Sequence, residues 1–178
     1  MDIYGKCGTL SCPRRGGNCY EMLERDYKFY LSFENSLCED YITEKLWNIL
    51  QFDVVPIVMG GADYKTLLPP HSYIDVRDFN SSEHLAKYLL MLDHNDGLYR
   101  QYFAWKQSYV IQHADIVCQV CAFLNKANNS TQMIVERLDS FYQPSRDCMT
   151  AEQYYSGHSA RPIYTRTART MFGYRIAW

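Results

Sequence analysis

Asn35, Tyr41, Glu44 and Lys45, all inside the stretch YLSFENSLCEDYITEKLW (30–47), are side-chain types suited to holding a phosphorylated sugar. A lysine supplies countercharge to phosphate oxygens. A glutamate accepts hydrogen bonds from sugar hydroxyls or steadies positive charge developing on a sugar, and Asn and Tyr hydrogen-bond either group. At about 100° per residue, a helix from about Asp40, its N-cap, to about Gln51 puts Ile42, Leu46, Ile49 and Leu50 on one stripe, and Tyr41, Glu44 and Lys45 on another. The unpaired backbone N–H groups and the dipole at a helix start favour anions. A lysine there is out of place as decoration and in place beside a bound diphosphate. The competing reading is a solvated Glu–Lys pair on an amphipathic helix, and the dense Glu34-Asn35-Ser36 lead-in weighs against it. From the residues alone, this is a candidate sugar-phosphate site and no more.

The elements that must position these residues follow from the apolar runs. YKFYLSF (27–33) is aromatic-rich and bounded by polar residues, the pattern of a buried strand. VVPIVMGG (54–61) is a β-branched run closed by a glycine turn, and SYIDVRDF (72–79) reads as a third strand. Ser81 or Ser82 caps a helix to about Asp93 with Leu85, Leu89 and Leu92 on one face, and another helix runs from about Asp96 to Val110. Residues 1–20 read as a short strand, Asp2 to Tyr4, then a Cys/Gly/Pro loop. Alternating strands and helices predict an α/β fold, a Rossmann-like parallel sheet covered by helices, over residues 1–124. Residues 125–178, polar, Arg- and Tyr-rich and weakly periodic, read as a weakly ordered extension. In an open sheet of this kind ligands bind outside the carboxyl ends of the strands, where the Glu34–Lys45 stretch lies.

The 178 residues suffice for one ordinary domain with a real core. A net charge of −2 gives no basis for a polyanion-binding surface, so nucleic acid is not expected as a partner. The Arg-containing run RPIYTRTARTMFGYR (161–175) reads as a solvated tail rather than a basic patch. Seven cysteines and three sequons, at Asn80, Asn128 and Asn129, favour a secretory-pathway lumen over the cytosol. No signal segment opens the chain, and the expectation is that an N-terminal part with any membrane anchor lies outside it. Cys7, Cys12, Cys19 and Cys38 are expected to pair among themselves, in one of three ways, and Cys148 with Cys118 or Cys121. Cys118-x-x-Cys121 is half a zinc site with no second half and only His113 nearby, so structural disulfides are the better reading and no metal is expected.

YKFYLSFENSLCEDYITEKLW, VVPIVMGGADY and LPPHSYIDVRDF together resemble the donor-binding half of the α1,3-fucosyltransferases of glycosyltransferase family 10, over about Asp2 to Cys121. YGKCGTLSCP and GGADY are more similar to the invertebrate, core-modifying branch than to the vertebrate Lewis-antigen branch. The resemblance implies a GT-B architecture of two Rossmann-like domains, this chain being the C-terminal half, which binds GDP-fucose. It implies inverting transfer of fucose to a GlcNAc-containing N-glycan or glycoprotein, with no cofactor and no metal held by a DxD motif, which this sequence lacks. It implies a Golgi lumenal enzyme whose anchor and catalytic base lie upstream of this chain, together with a phosphate-binding arginine. Carried over residue by residue, Lys45 would face the diphosphate and Glu44 the fucose, while Tyr41 and Asn35 would hydrogen-bond phosphate or sugar. Glu44 is then the catalytic candidate, and nucleotide contacts are expected around Val54 to Val58. Asp53, where many members have a small residue, is expected at the surface. The family's similar CxxC implies ties from Cys118 and Cys121 to upstream cysteines. A non-catalytic nucleotide-sugar-binding fragment or truncated isoform is the alternative, and a disulfide-stapled extracellular interaction domain a third reading.

Overall fold

The structure, a computed structural model, describes residues 1–4, 8–12, 18–112, 116–126, 148–156 and 176–177. In chain order the elements are α1 (Asn18–Asp26), β1 (Phe29–Phe33), β2 (Leu37–Cys38), α2 (Glu44–Ile49), β3 (Val55–Met59), α3 (Tyr64–Leu67), β4 (Ile74–Asp75), α4 (Ser82–Asp93), α5 (Asp96–Gln101), α6 (Ile116–Lys126), β5 (Cys148–Met149), α7 (Ala151–Ser156) and β6 (Ile176–Ala177). Single 3-10 turns stand at Val76–Asp78 and Ala104–Gln107.

The aromatic and β-branched runs form the centre of a parallel sheet with strand order β4-β3-β1-β6. β3 is buried along its whole length, as a central parallel strand covered on both faces must be. Side-chain alternation divides the core. Phe29, Phe33, Val55, Ile57, Met59 and Ile74 pack with Leu85, Leu89 and Leu92 of α4. Val58 on the opposite face meets Leu46 and Leu50 from the α2 segment, Tyr64 of α3 and Trp105. Helices thus cover both faces, and the Rossmann-like α/β fold expected from the sequence is what forms. Truncating Leu89 or Leu92 to Ala would be expected to cost roughly 2–5 kcal/mol.

The helix capped by Ser81 starts and ends as predicted, its side chain accepting a bond from the His84 amide at 3.2 Å. Other boundaries shift. The Asp2–Tyr4 strand reduces to isolated bridges at Asp2 and Tyr4, the latter to Leu10, and α1 was not predicted. The third strand pairs only at Ile74 and Asp75 before tightening into a 3-10 turn, where Asp75 accepts from the Arg77 amide. The helix expected over 96–110 stops at Gln101 and resumes as the 3-10 turn. Asp53 is exposed as expected, yet its carboxylate meets Lys106 Nζ at 2.6 Å.

The described parts of the polar segment beyond residue 124 touch the domain. β6 extends the sheet beside β1, β5 pairs antiparallel with β2, and Tyr154 is buried in the α4-side core. A disulfide joins Cys12 to Cys19, as one of the three predicted ways allows. Cys38 pairs with Cys148 instead of within its cluster, because β2 and β5 are neighbours in space although 110 residues apart in sequence. Cys148 is therefore not joined to Cys118 or Cys121, which lie exposed on α6 and outside both disulfides. Cys7, His113, the sequons at Asn128 and Asn129 and the run 161–175 lie outside the described residues.

Candidate functional site

At the carboxyl end of β1 the chain leaves the sheet at Glu34, whose amide donates to the Met59 carbonyl at 2.9 Å and so continues the β1–β3 register by one bond. The Glu34 side chain is only 1% exposed. A buried carboxylate must be hydrogen-bonded or paired, and this one is both. Its Oε1 accepts from the Thr43 amide at 2.8 Å, its Oε2 from the Thr43 hydroxyl at 2.7 Å, and Lys45 Nζ stands 3.9 Å from Oε2. Lys45 donates its short bond, 2.7 Å, to Asn35 Oδ1. That bond fixes the Asn35 amide so that Nδ2 keeps both its protons for a ligand.

This geometry corrects the helix expected from Asp40. Asp40 has φ 56°, a left-handed conformation no helix N-cap adopts, and α2 begins at Glu44 with Thr43 as its N-cap. No local side chain caps α2; Glu34, nine residues earlier, takes up the Thr43 amide instead. Tyr41, half-buried, therefore sits on the loop before the helix rather than on its stripe. Glu44 is exposed at the first helical position and Lys45 half-buried at the second. The lysine that seemed to lack a reason thus has a protein partner, Glu34, which sequence reading passed over as lead-in. A glutamate directly after a buried strand and before an Asn was the available signal.

The same edge of the sheet carries the glycine turn. A methyl at Gly60 would overlap the Tyr64 hydroxyl, and one at Gly61 would come within 2.6 Å of the Leu37 backbone, so both positions need glycine for close approach. Val54 to Val58 are almost wholly buried, which argues against them as nucleotide contacts; the chain surfaces only at Gly61. At the end of β4, Arg77 binds both oxygens of buried Asp75, at 2.6 to 3.0 Å, and donates to the Ala62 carbonyl at 3.1 Å. Burial opposes the Arg77 charge, but the Asp75 contacts outweigh it and hold its pKa above the ordinary value. Below the site, burial pushes the Tyr30 phenol up to about 12, with Tyr20, Glu44 and Glu34 adding to it, so Tyr30 stays protonated at neutral pH.

Among the described residues, no group of three His, Cys, Asp or Glu side chains is arranged to hold a metal ion, and no helix is long and apolar enough to cross a membrane.

Fold and site together define a Rossmann-like α/β domain whose strand ends bring together a half-buried cation, an exposed amide and the exposed carboxylate of Glu44 above buried Glu34. The model of the C-terminal part of glycosyltransferase family 10 (fucosyltransferase) matches residues 1–141, and the chain belongs to that family, whose architecture is GT-B. It is 51% identical over 125 residues to the alpha-(1,3)-fucosyltransferase C of Drosophila melanogaster, covering 70% of this chain and 29% of that protein. It is 50% identical over 129 residues to the glycoprotein 3-alpha-L-fucosyltransferase A of the same fly, covering 70% and 26%. With the human alpha-(1,3)-fucosyltransferase 4 it shares 44% over 141 residues, covering 75% and 26%. The chain thus spans less than a third of the length of these relatives.

Proposed function

We propose that this chain is the donor-binding part of an α1,3-fucosyltransferase, transferring L-fucose from GDP-fucose to a GlcNAc-containing N-glycan or glycoprotein with inversion. The observation that carries the reading is Lys45, held at the strand ends by Asn35 at 2.7 Å with a loose 3.9 Å contact to buried Glu34. An ammonium with three donors and one short bond keeps capacity for phosphate oxygens. In this reading Lys45 faces the diphosphate, and Asn35 and Tyr41 donate to phosphate or sugar oxygens. Glu44 lies against the fucose, its negative charge steadying the oxocarbenium-like transition state.

The chemistry divides between two sides of the sugar. The bond from the anomeric carbon to the GDP oxygen breaks, and GDP leaves with the electron pair, countered by Lys45. An acceptor hydroxyl attacks the opposite face, forms the new glycosidic bond and gives up its proton to a base. That base and most of the acceptor contacts belong, in this proposal, to the two-thirds of the relatives that this chain does not span. General-base assistance contributes roughly 10²–10⁴ in rate, and positioning the acceptor in line at least as much. No resident cofactor is needed. The exposed Asn80 sequon and the two disulfides support a Golgi lumenal setting, with membrane attachment supplied by an upstream anchor.

The limited span favours a second reading, a nucleotide-sugar-binding fragment or natural short isoform without transfer activity. One experiment addresses both: the purified 178-residue chain is given GDP-fucose and a GlcNAc-containing glycan, with GDP binding measured in parallel. GDP binding without transfer is expected. Robust transfer that Glu44→Ala abolishes would place the base within this chain, and no GDP binding would overturn the donor-site reading.

A further inference from the structure

The residues leading into α4 divide between two jobs. Asn80, Ser81 and Ser82 form an Asn-x-Ser sequon where the 3-10 turn at Val76–Asp78 gives way to the helix. The Ser81 hydroxyl belongs to the fold. It accepts from the His84 amide at 3.2 Å and caps α4, its own backbone extended at φ −162° and ψ 161°. Asn80 and Ser82 are not used in this way. Among the described residues, neither the Asn80 side-chain amide nor the Ser82 hydroxyl makes a hydrogen bond. Asn80 is exposed, as are Asp78 before it and Glu83 after it, while Leu85, Ala86, Leu89 and Leu92 carry the buried face of α4. β4 is an edge of the sheet, so no described strand lies beyond it to crowd this connection. A sequon that arises by chance has no reason to leave both of its functional side chains uncommitted while the serine between them is engaged.

We propose that Asn80 is a modification site that carries an N-linked oligosaccharide, added in the secretory-pathway lumen. The co-reactant is an oligosaccharide carried on a lipid diphosphate and delivered by a membrane-bound transferase. The Asn80 amide nitrogen attacks the anomeric carbon of the first sugar. The bond from that carbon to the diphosphate oxygen breaks, and the lipid diphosphate leaves with the electron pair. The proton released by the amide passes to a base of the transferase. The hydroxyl two residues after the asparagine is the one the transferase requires, and here it is Ser82, the serine that the cap leaves free. A glycan is bulky and hydrophilic and is tolerated only at a surface. At exposed Asn80 it displaces no buried side chain and breaks no hydrogen bond of the described fold. The lumenal setting has support apart from the sequon, since Cys12–Cys19 and Cys38–Cys148 are disulfides of the kind that persist in an oxidising compartment.

The proposal rests on the lumenal part of the reading above and not on donor binding. The test translates the 178-residue chain behind a cleavable secretion signal in the presence of microsomes, where glycan addition does not wait for the final fold. The same chain is also secreted from animal cells. Treatment with a glycan-releasing amidase followed by peptide mapping is expected to find Asn80 deamidated at the released position in both preparations, read separately from Asn128 and Asn129. Asn80→Gln and Ser82→Ala are each expected to abolish the Asn80 glycan and leave the melting temperature of the secreted chain unchanged. Ser81→Ala keeps the sequon and removes the cap, so it is expected to keep the glycan and lower the melting temperature by about 2–4 °C. An unmodified Asn80 in microsomes in which the Cys38–Cys148 bond has formed would overturn the site while leaving the setting intact. A glycan lost with Ser81→Ala, or kept with Ser82→Ala, would overturn the division between the two serines and the inference with it. The protein recovered from its own cells with Asn80 unmodified and Cys38 and Cys148 reduced would overturn the lumenal setting itself.

Discussion

Two strand ends in this domain each join a buried carboxylate to a cation, and they do it differently. At the end of β4, Arg77 clamps Asp75 through three contacts of 2.6 to 3.0 Å, donates to the Ala62 carbonyl and lies over the Tyr64 ring. At the end of β1, Glu34 is satisfied mainly by Thr43, and Lys45 approaches it only to 3.9 Å. A planar guanidinium with its fork filled is a structural tie, whereas an ammonium steered by one amide oxygen keeps donors for a ligand. In the donor-site reading proposed above, the contrast separates a charge pair that holds the fold from a charge set that would bind, although both lie at the same end of one sheet.

The largest expected effect comes from the staple beneath the binding end. Cys38 stands three residues after Asn35, and its bond to Cys148 closes 110 residues. Replacing both cysteines with Ser is expected to cost about 3–4 kcal/mol of stability, read by urea unfolding, and to weaken GDP binding by loosening the Glu34–Tyr41 turn. An unchanged midpoint would mean that the β2–β5 pairing holds that turn without the bond.

Next is the tie itself. Arg77→Ala leaves the Asp75 carboxylate, only 6% exposed, without its partner. A broken buried pair costs roughly 3–5 kcal/mol, and partial exposure of Arg77 brings the expected loss to about 2–3 kcal/mol. A loss under about 0.5 kcal/mol, the size of an ordinary surface substitution, would show that Arg77 is no more engaged than Lys45 and dissolve the contrast.

A smaller effect is expected at Thr43→Val, which keeps the amide bond to Glu34 but removes the hydroxyl one. The stability loss should be about 1.5 kcal/mol. The freed Glu34 oxygen would then draw Lys45 closer, so GDP affinity should fall as well. Unchanged affinity alongside the lost stability would uncouple Glu34 from Lys45.

The parts of the fold that were legible in the sequence are those specified by local pattern. The runs Phe29–Phe33 and Val55–Met59 and the Ser81-capped helix carry their apolar faces and cap within a few residues of chain. α1 was not legible because it is polar on average and follows a Cys/Gly/Pro run, so its few apolar residues, Leu23 alone of them in the fully buried core, were not followed although they share one helix face. The start of α2 was misread because its leading amide is taken up by Glu34 rather than by a neighbouring side chain, so apolar periodicity alone carried the helix back to Asp40. The partner of Cys38 was hidden for the same kind of reason, since only the β2–β5 pairing brings Cys148 to it. At the site, Asn35 and Lys45, each expected to contact one ligand, are hydrogen-bonded to each other, and Glu34, the residue that organises them, was passed over.

The most direct measurement of whether Lys45 is a binding cation is a calorimetric titration of GDP into wild type and Lys45→Ala, with the unfolding free energy of each recorded alongside. The expected result is a loss of about 1.5–3 kcal/mol in GDP binding, the size of a charge-assisted hydrogen bond, with stability changed by no more than about 0.5 kcal/mol. Equal GDP affinities for the two proteins, or a stability loss as large as that of Arg77→Ala, would contradict it and make Lys45 a second structural tie.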